Sequence, residues 1–153
     1  MMQSLLKGVF LAGALVSGVL VAAETPRVLG HRGNFQYDDN ALGGFRQSLE
    51  VGVTGFELDV HMTQDGGMVV MHDSAVSTTT TATSGMIESM TLDAVTNLVL
   101  KRSGEHVPSL QQVVDLFGSR ADLFVEFEMK AEGSHTGEAL KQYVDNTYAI
   151  VAG

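Results

Sequence analysis

No cysteine occurs among the 153 residues. That absence excludes disulfides, lipid attachment through a modified cysteine and thiolate ligation of a metal. Basic residues are scarce, 9 Lys and Arg against 18 Asp and Glu for a net charge of −9. Nucleic acid is therefore excluded as a partner, because binding it requires clustered cations that displace counterions from phosphates. A small phosphate compound needs only a few basic groups and stays admissible. The apolar run over residues 8–21 is too short to span a bilayer comfortably, since a spanning helix needs about 20 residues. It follows Lys7 and closes on Val21-Ala22-Ala23, the pattern of a secretory signal peptide cleaved after Ala23. An uncleaved anchor is the alternative. The expectation is a leader over 1–23 and an exported domain over 24–153, periplasmic or secreted, without a stable membrane anchor after cleavage.

What is present is 44% hydrophobic and carries 17 glycines, as expected of one globular domain with many tight turns. Strands are predicted at 27–31 (RVLGH), 55–60 (GFELDV), 68–72 (MVVMH) and 123–130 (LFVEFEMK). Helices are predicted at 41–51, 91–100, 109–117 and 135–146, with Gly52 closing the first. Asp65-Gly66-Gly67 signals a turn, and the low-complexity stretch 77–84 (STTTTATS) is expected to be an extended loop without chemistry. Strands alternating with helices imply an α/β fold with a parallel sheet, covered by helices on both faces or closed into a barrel.

The segment GFELDV poses the chemical question. Its alternation puts Phe56, Leu58 and Val60 on one face and Glu57 and Asp59 on the other, with the acidic α-carbons roughly 6 to 7 Å apart. Either water solvates these carboxylates or a cation sits between them. LFVEFEMK repeats the pattern, alternating Val125, Phe127 and Met129 with Glu126, Glu128 and Lys130. If both polar faces converge, the carboxylates require protons or a cation to neutralise them. An all-oxygen donor set suits a hard divalent ion, Mg²⁺ or Ca²⁺. His31-Arg32 follows the first predicted strand and His72-Asp73 ends the third. Parallel α/β folds place their sites at such strand ends. Histidine moves protons near neutral pH, and Arg32 offers a forked donor for phosphoryl oxygens.

The ordered succession HRG, DDNALGGF, GFELDVHMTQDGGMVVMHD, SGMIESMTLDAV, VPSLQQVVDLF and VEFEMK over residues 27–130 resembles the N-terminal half of the glycerophosphodiester phosphodiesterase family. The resemblance implies a TIM-type (β/α)₈ barrel of which about the first half is present. It also implies cleavage of small glycerophosphodiesters into glycerol 3-phosphate and an alcohol with one divalent cation, Ca²⁺ or Mg²⁺. Carried over by motif, Glu57, Asp59 and Glu128 become metal ligands, His31 and His72 the acid and base pair, and Arg32 and Lys130 contacts for the substrate phosphate.

Some features depart from the family pattern. Asp39-Asn40-Ala41 stands where Glu-Asn-Thr is usual, the threonine-rich stretch lacks an arginine, and Glu126 replaces a frequent Asn. An eight-unit barrel takes roughly 250 residues, so the C-terminal half of the barrel is an implied partner and the segment alone is expected to be inactive. Two other readings stay open. A sphingomyelinase-D-like phospholipase shares the HR and Glu-x-Asp pattern but usually takes Asp as its third ligand. A non-catalytic exported binding protein or remnant is the other. His61 is expected where the strand leaves the site, and His106 and His135 at the solvated surface.

Overall fold

The computed structural model describes residues 28–131, 133 and 135–153. The expected leader over 1–23 and the start of the first predicted strand lie outside the described residues. The described chain runs β1 (Gly30–His31), α1 (Leu42–Glu50), β2 (Gly55–Met62), β3 (Met68–Val70), α2 (Val76–Thr79), a 3-10 turn (Ile87–Ser89), α3 (Leu92–Thr96), α4 (Leu110–Phe117), β4 (Phe124–Met129) and α5 (Glu138–Val151).

Strand β2 is the centre of the sheet. It pairs in parallel with β1 (His31 opposite Glu57) and with β4 (Asp59 opposite Glu128). Phe56 and Val60 each have partners on both edges, so β4 occupies one edge of β2 while β1 and then β3 follow one another along the other. The expected all-parallel pairing fails at β3, which runs antiparallel to the end of β2 with His61 opposite Val69. The connection explains the difference: the Thr63–Gly67 turn, with Gly66 at φ +81° and the Thr63 N–H donating to the Gly67 carbonyl, is a hairpin. A parallel crossover needs about a dozen residues or more. Among the described residues, β1, β2 and β4 are therefore the parallel strands of the barrel, and β3 is a hairpin arm.

The apolar side of β2 makes the core. Phe56, Leu58 and Val60 are fully buried with Phe45 of α1, Leu110, Val113 and Phe117 of α4, and Tyr143 of α5. The Phe45, Phe56 and Phe117 rings lie 5.0 to 5.6 Å apart, two contacts edge-on and one stacked. Each such side chain contributes about 1.5–3 kcal/mol through burial. Helix coverage of this face sends the odd-numbered residues of β2 to the opposite, polar side.

Local signals place the helices. Ser109 caps α4 with a reciprocal Gln112 box, Thr91 caps α3 through Ala94 N–H, and Gly52 turns the chain after α1 at φ +90°. Helix α3 is shorter than expected. Residues 98–100 leave it for backbone hydrogen bonds to Glu105, Val107 and Thr81. The threonine-rich stretch is not a plain extended loop either: α2 occupies its start, and buried Thr80 donates its hydroxyl to the Val76 carbonyl and bridges to Leu100. A second core of Val69, Met71, Val76, Ile87, Val95, Leu100 and Val107 lies beneath it. Helix α5 is displaced from the expected 135–146 to Glu138–Val151. Among the described residues, no helix is long and apolar enough to cross a membrane.

Candidate active site

The polar faces of β2 and β4 meet. Glu57, Asp59 and Glu128 each offer a carboxylate oxygen, and these three oxygens lie within 4.8 Å of one another. The register produces this: Asp59 stands directly opposite Glu128, and Glu57 is two residues back on the same side of β2. Asp59 is 0% exposed, Glu57 half-buried and Glu128 exposed, because the second edge of β4 has no strand beside it among the described residues. Glu126 is also exposed and stays outside the trio.

Positive groups gather on Asp59. Lys130 Nζ is 3.0 Å from Asp59 Oδ1 and 2.7 Å from Glu128 Oε1. Arg32 Nε lies 3.1 Å from Asp59 Oδ2, and its Nη1 lies 3.2 Å from Asp39 Oδ2. Both predicted phosphate contacts are thus held by acids. Arg32 has φ +57°, stabilised by its N–H donating to the Glu57 carbonyl and its own carbonyl accepting from Asn40 N–H.

The sequence reading passed over Asn40 as a site residue. Its amide donates to Asp59 Oδ2 at 2.8 Å and its side-chain oxygen accepts from Asp59 N–H at 3.3 Å. The residue is fully buried at φ +66°, a conformation that asparagine tolerates better than most residues. The signal available in the sequence was the Asp-Asn pair in a polar loop after HRG, which reads as an ordinary turn.

The histidines flank the carboxylates differently. His31 ends β1 with its side chain 67% exposed, and its Nε2 lies 3.5 Å from Glu57 Oε2. His72 lies two residues past β3, and its Nδ1 is 3.0 Å from Asp73 Oδ1. His61 is buried, and its Nε2 donates to the His72 carbonyl at 3.0 Å, so it supports the His72 backbone from β2. His106 is exposed as expected. His135 is partly buried, its ring 5.2 Å from that of Tyr143, which corrects its reading as a solvated residue.

These environments shift the acids apart. Burial, reinforced by Asp59 and Glu128, raises the Glu57 pKa despite His31 and Arg32. Burial also acts to raise Asp59, but the Asn40 hydrogen bond and the nearby Lys130 and Arg32 charges hold it below its ordinary value. Lys130 is pushed up, the contacts with Glu128 and Asp59 outweighing its burial. Glu57 Oε2 and Asp59 Oδ1 are buried without a well-directed hydrogen bond. An oxygen-only trio with two such oxygens fits a hard divalent cation.

The sequence matches the model of the glycerophosphoryl diester phosphodiesterase family over residues 30–152. A glycerophosphodiester phosphodiesterase from Caldanaerobacter subterraneus subsp. tengcongensis is 35% identical over 111 residues, covering 68% of this chain and 45% of that relative. Glycerophosphodiester phosphodiesterase 1 of Mus musculus is 31% identical over 132 residues, covering 80% of this chain and 39% of the relative. A crystal structure from Silicibacter pomeroyi DSS-3, provisionally assigned to the same family, superposes with a TM-score of 0.73 at 28% identity and covers 82% of this chain and 52% of its own. The chain thus spans about half the length of the relatives it matches, and its fold is the corresponding part of a TIM-type barrel.

Proposed function

Because the chain belongs to the glycerophosphoryl diester phosphodiesterase family, we propose that it carries the cation-binding and proton-transfer centre of an enzyme that hydrolyses glycerophosphodiesters to glycerol 3-phosphate and an alcohol. The observation that carries this reading is the convergence of Glu57, Asp59 and Glu128 from two parallel strands beside His31 and within reach of Arg32 and Lys130. An exposed acidic stripe would leave the carboxylates in water, whereas Asp59 is fully buried. The third acid is Glu128 in a Glu-x-Lys pattern, which favours the diesterase over the sphingomyelinase-D-like alternative.

Glu57, Asp59 and Glu128 would hold one divalent cation, Ca²⁺ or Mg²⁺. When bound, the cation polarises the phosphoryl group and stabilises charge on its oxygens. Asn40 fixes the Asp59 carboxylate so that the ligand set is oriented in advance. Lys130 and Arg32, relieved of part of their pairing with Asp59, hold the phosphate oxygens. One of His31 and His72 removes a proton from the attacking glycerol hydroxyl and the other protonates the leaving alcohol oxygen, and water then opens the resulting cyclic phosphate to glycerol 3-phosphate. Asp73 orients the His72 ring through Nδ1. Export through the leader over 1–23 would place this chemistry in the periplasm or outside the cell.

The test joins this chain to the C-terminal half of its Caldanaerobacter relative and measures glycerol 3-phosphate released from glycerophosphocholine. Release that requires Ca²⁺ or Mg²⁺ and is lost in Glu57→Gln is expected. No release with either cation, or release indifferent to Glu57, contradicts the reading.

A further inference from the structure

A cavity of about 370 Å³ opens beside the proposed reaction centre, its lining carrying Arg32, His72, Lys101 and Arg102 together with Asp38, Asp39 and Asp73. Its acids already have partners. Asp38, buried, accepts hydrogen bonds from the backbone N–H groups of Arg102 and Ser103 at 2.7 to 3.2 Å. Asp39 pairs with Arg32, and Asp73 with His72. The other two cations bond carbonyl oxygens: Lys101 Nζ donates to the Ser77 and Thr78 carbonyls at 2.7 and 2.9 Å, and the Arg102 guanidinium donates to the Phe35 carbonyl at 2.6 Å. Among the described residues neither stands in an ion pair, as exposed Arg46 of α1 also does not, whereas Arg32, Arg120, Lys130 and Lys141 do. In a chain of net charge −9 this leaves two adjacent positive groups without a carboxylate, on a wall that Asp38 and Glu105 fasten to the α1 side of the fold.

We propose that Lys101 and Arg102 select glycerophosphodiesters whose alcohol carries a negative charge of its own, such as a phosphorylated polyol. This rests on the diesterase reading above. The glycerol limb of every glycerophosphodiester is uncharged, so a basic wall next to the centre discriminates only through the other limb. A quaternary ammonium alcohol meets like charge there, while an anionic one gains charge-assisted hydrogen bonds. The anchoring of both side chains by carbonyl oxygens holds them in place before the ligand arrives, which lowers the entropy cost of binding.

The experiment is calorimetric titration of the Ca²⁺-loaded chain with three diesters: glycerophosphoinositol 4-phosphate, glycerophosphoglycerol and glycerophosphocholine. The expected affinity falls in that order, with about tenfold or more between first and last at low salt. Lys101→Gln combined with Arg102→Gln removes the charge and keeps a polar side chain at both positions. It is expected to flatten the ranking, with the Ca²⁺-dependent rise in melting temperature checking that the fold persists. A flat or reversed ranking in the unmodified chain overturns the proposal. So does a double variant that weakens all three diesters equally, since the pair would then hold the phosphodiester itself. If none of the three binds and the joined barrel releases no glycerol 3-phosphate, the diesterase reading falls too; if none binds but that release occurs, only the selectivity proposal falls.

Discussion

Asp59 and Glu128 stand opposite each other across the parallel pairing of β2 and β4, with the Lys130 ammonium 3.0 Å from one carboxylate and 2.7 Å from the other. Like charges directly opposed on a sheet are destabilising unless something neutralises them. Lys130 does so in the chain alone, and a divalent cation would share that task when bound.

Replacing Lys130 by Met removes this compensation. Stability without divalent cation is expected to fall by about 1–2 kcal/mol, a figure reduced from that of a buried pair because Glu128 is 52% exposed. Saturating Ca²⁺ should then stabilise Lys130→Met by more than it stabilises the unmodified chain. Urea midpoints with CaCl₂ and with chelator check both points.

Asn40→Ala strips Asp59 of two hydrogen bonds in a fully buried place and puts alanine at φ +66°. A loss of about 2–4 kcal/mol is expected from the two lost hydrogen bonds, with Arg32 and Lys130 still beside the carboxylate, together with the backbone strain. Asn40→Gly, which relieves the strain and keeps the lost bonds lost, should recover only part of it in the same denaturation assay.

The opposed shifts of Glu57 and Asp59 set a pH dependence. The raised Glu57 pKa means that the folded state binds this proton more tightly than the unfolded one. Its stabilising share is present below the ordinary glutamate value and lost as pH rises through the folded value. Asp59 acts oppositely: its share is present above the ordinary aspartate value and lost as pH falls through its lowered one. Without divalent cation, melting temperature should therefore step down as pH rises through the ionisation of Glu57. Ca²⁺ should offset that step, since the ion binds the ionised form. Glu57→Gln should show neither the step nor its offset.

His31→Ala and His72→Ala, made in the chain joined to the barrel half of its relative, should each slow glycerol 3-phosphate release by about 100- to 10,000-fold. The Ca²⁺-dependent rise in melting temperature should survive both. A histidine whose loss abolishes that rise and leaves the rate intact would belong to the ligand set.

Glu57 and Asp59 were legible as a pair because strand alternation is a short-range rule: once Phe56, Leu58 and Val60 face helices, the two acids must face away; alternation alone did not separate Glu128 from Glu126, and the family resemblance supplied that choice. The helix starts at Thr91 and Ser109 were legible for the same reason, each being decided within four residues. The direction of β3 was misread because hydrophobic content reports a strand but not its pairing; only the brevity of the Thr63–Gly67 link carried that information. Helix α3 ends early because Leu98 and Leu100 find backbone partners at Val107 and Glu105, a tertiary choice invisible to local pattern. Asn40 escaped notice because its role depends on Asp59, nineteen positions away. The basic wall of Lys101 and Arg102 likewise exists only through contacts with Phe35, Ser77 and Thr78.

Calorimetric titration of the chain with CaCl₂ and MgCl₂ addresses the central claim most directly. One cation per chain is expected, with affinity weakened by about tenfold or more in each of Glu57→Gln, Asp59→Asn and Glu128→Gln. Failure to take up either ion, or equal affinity after all three replacements, would contradict the account.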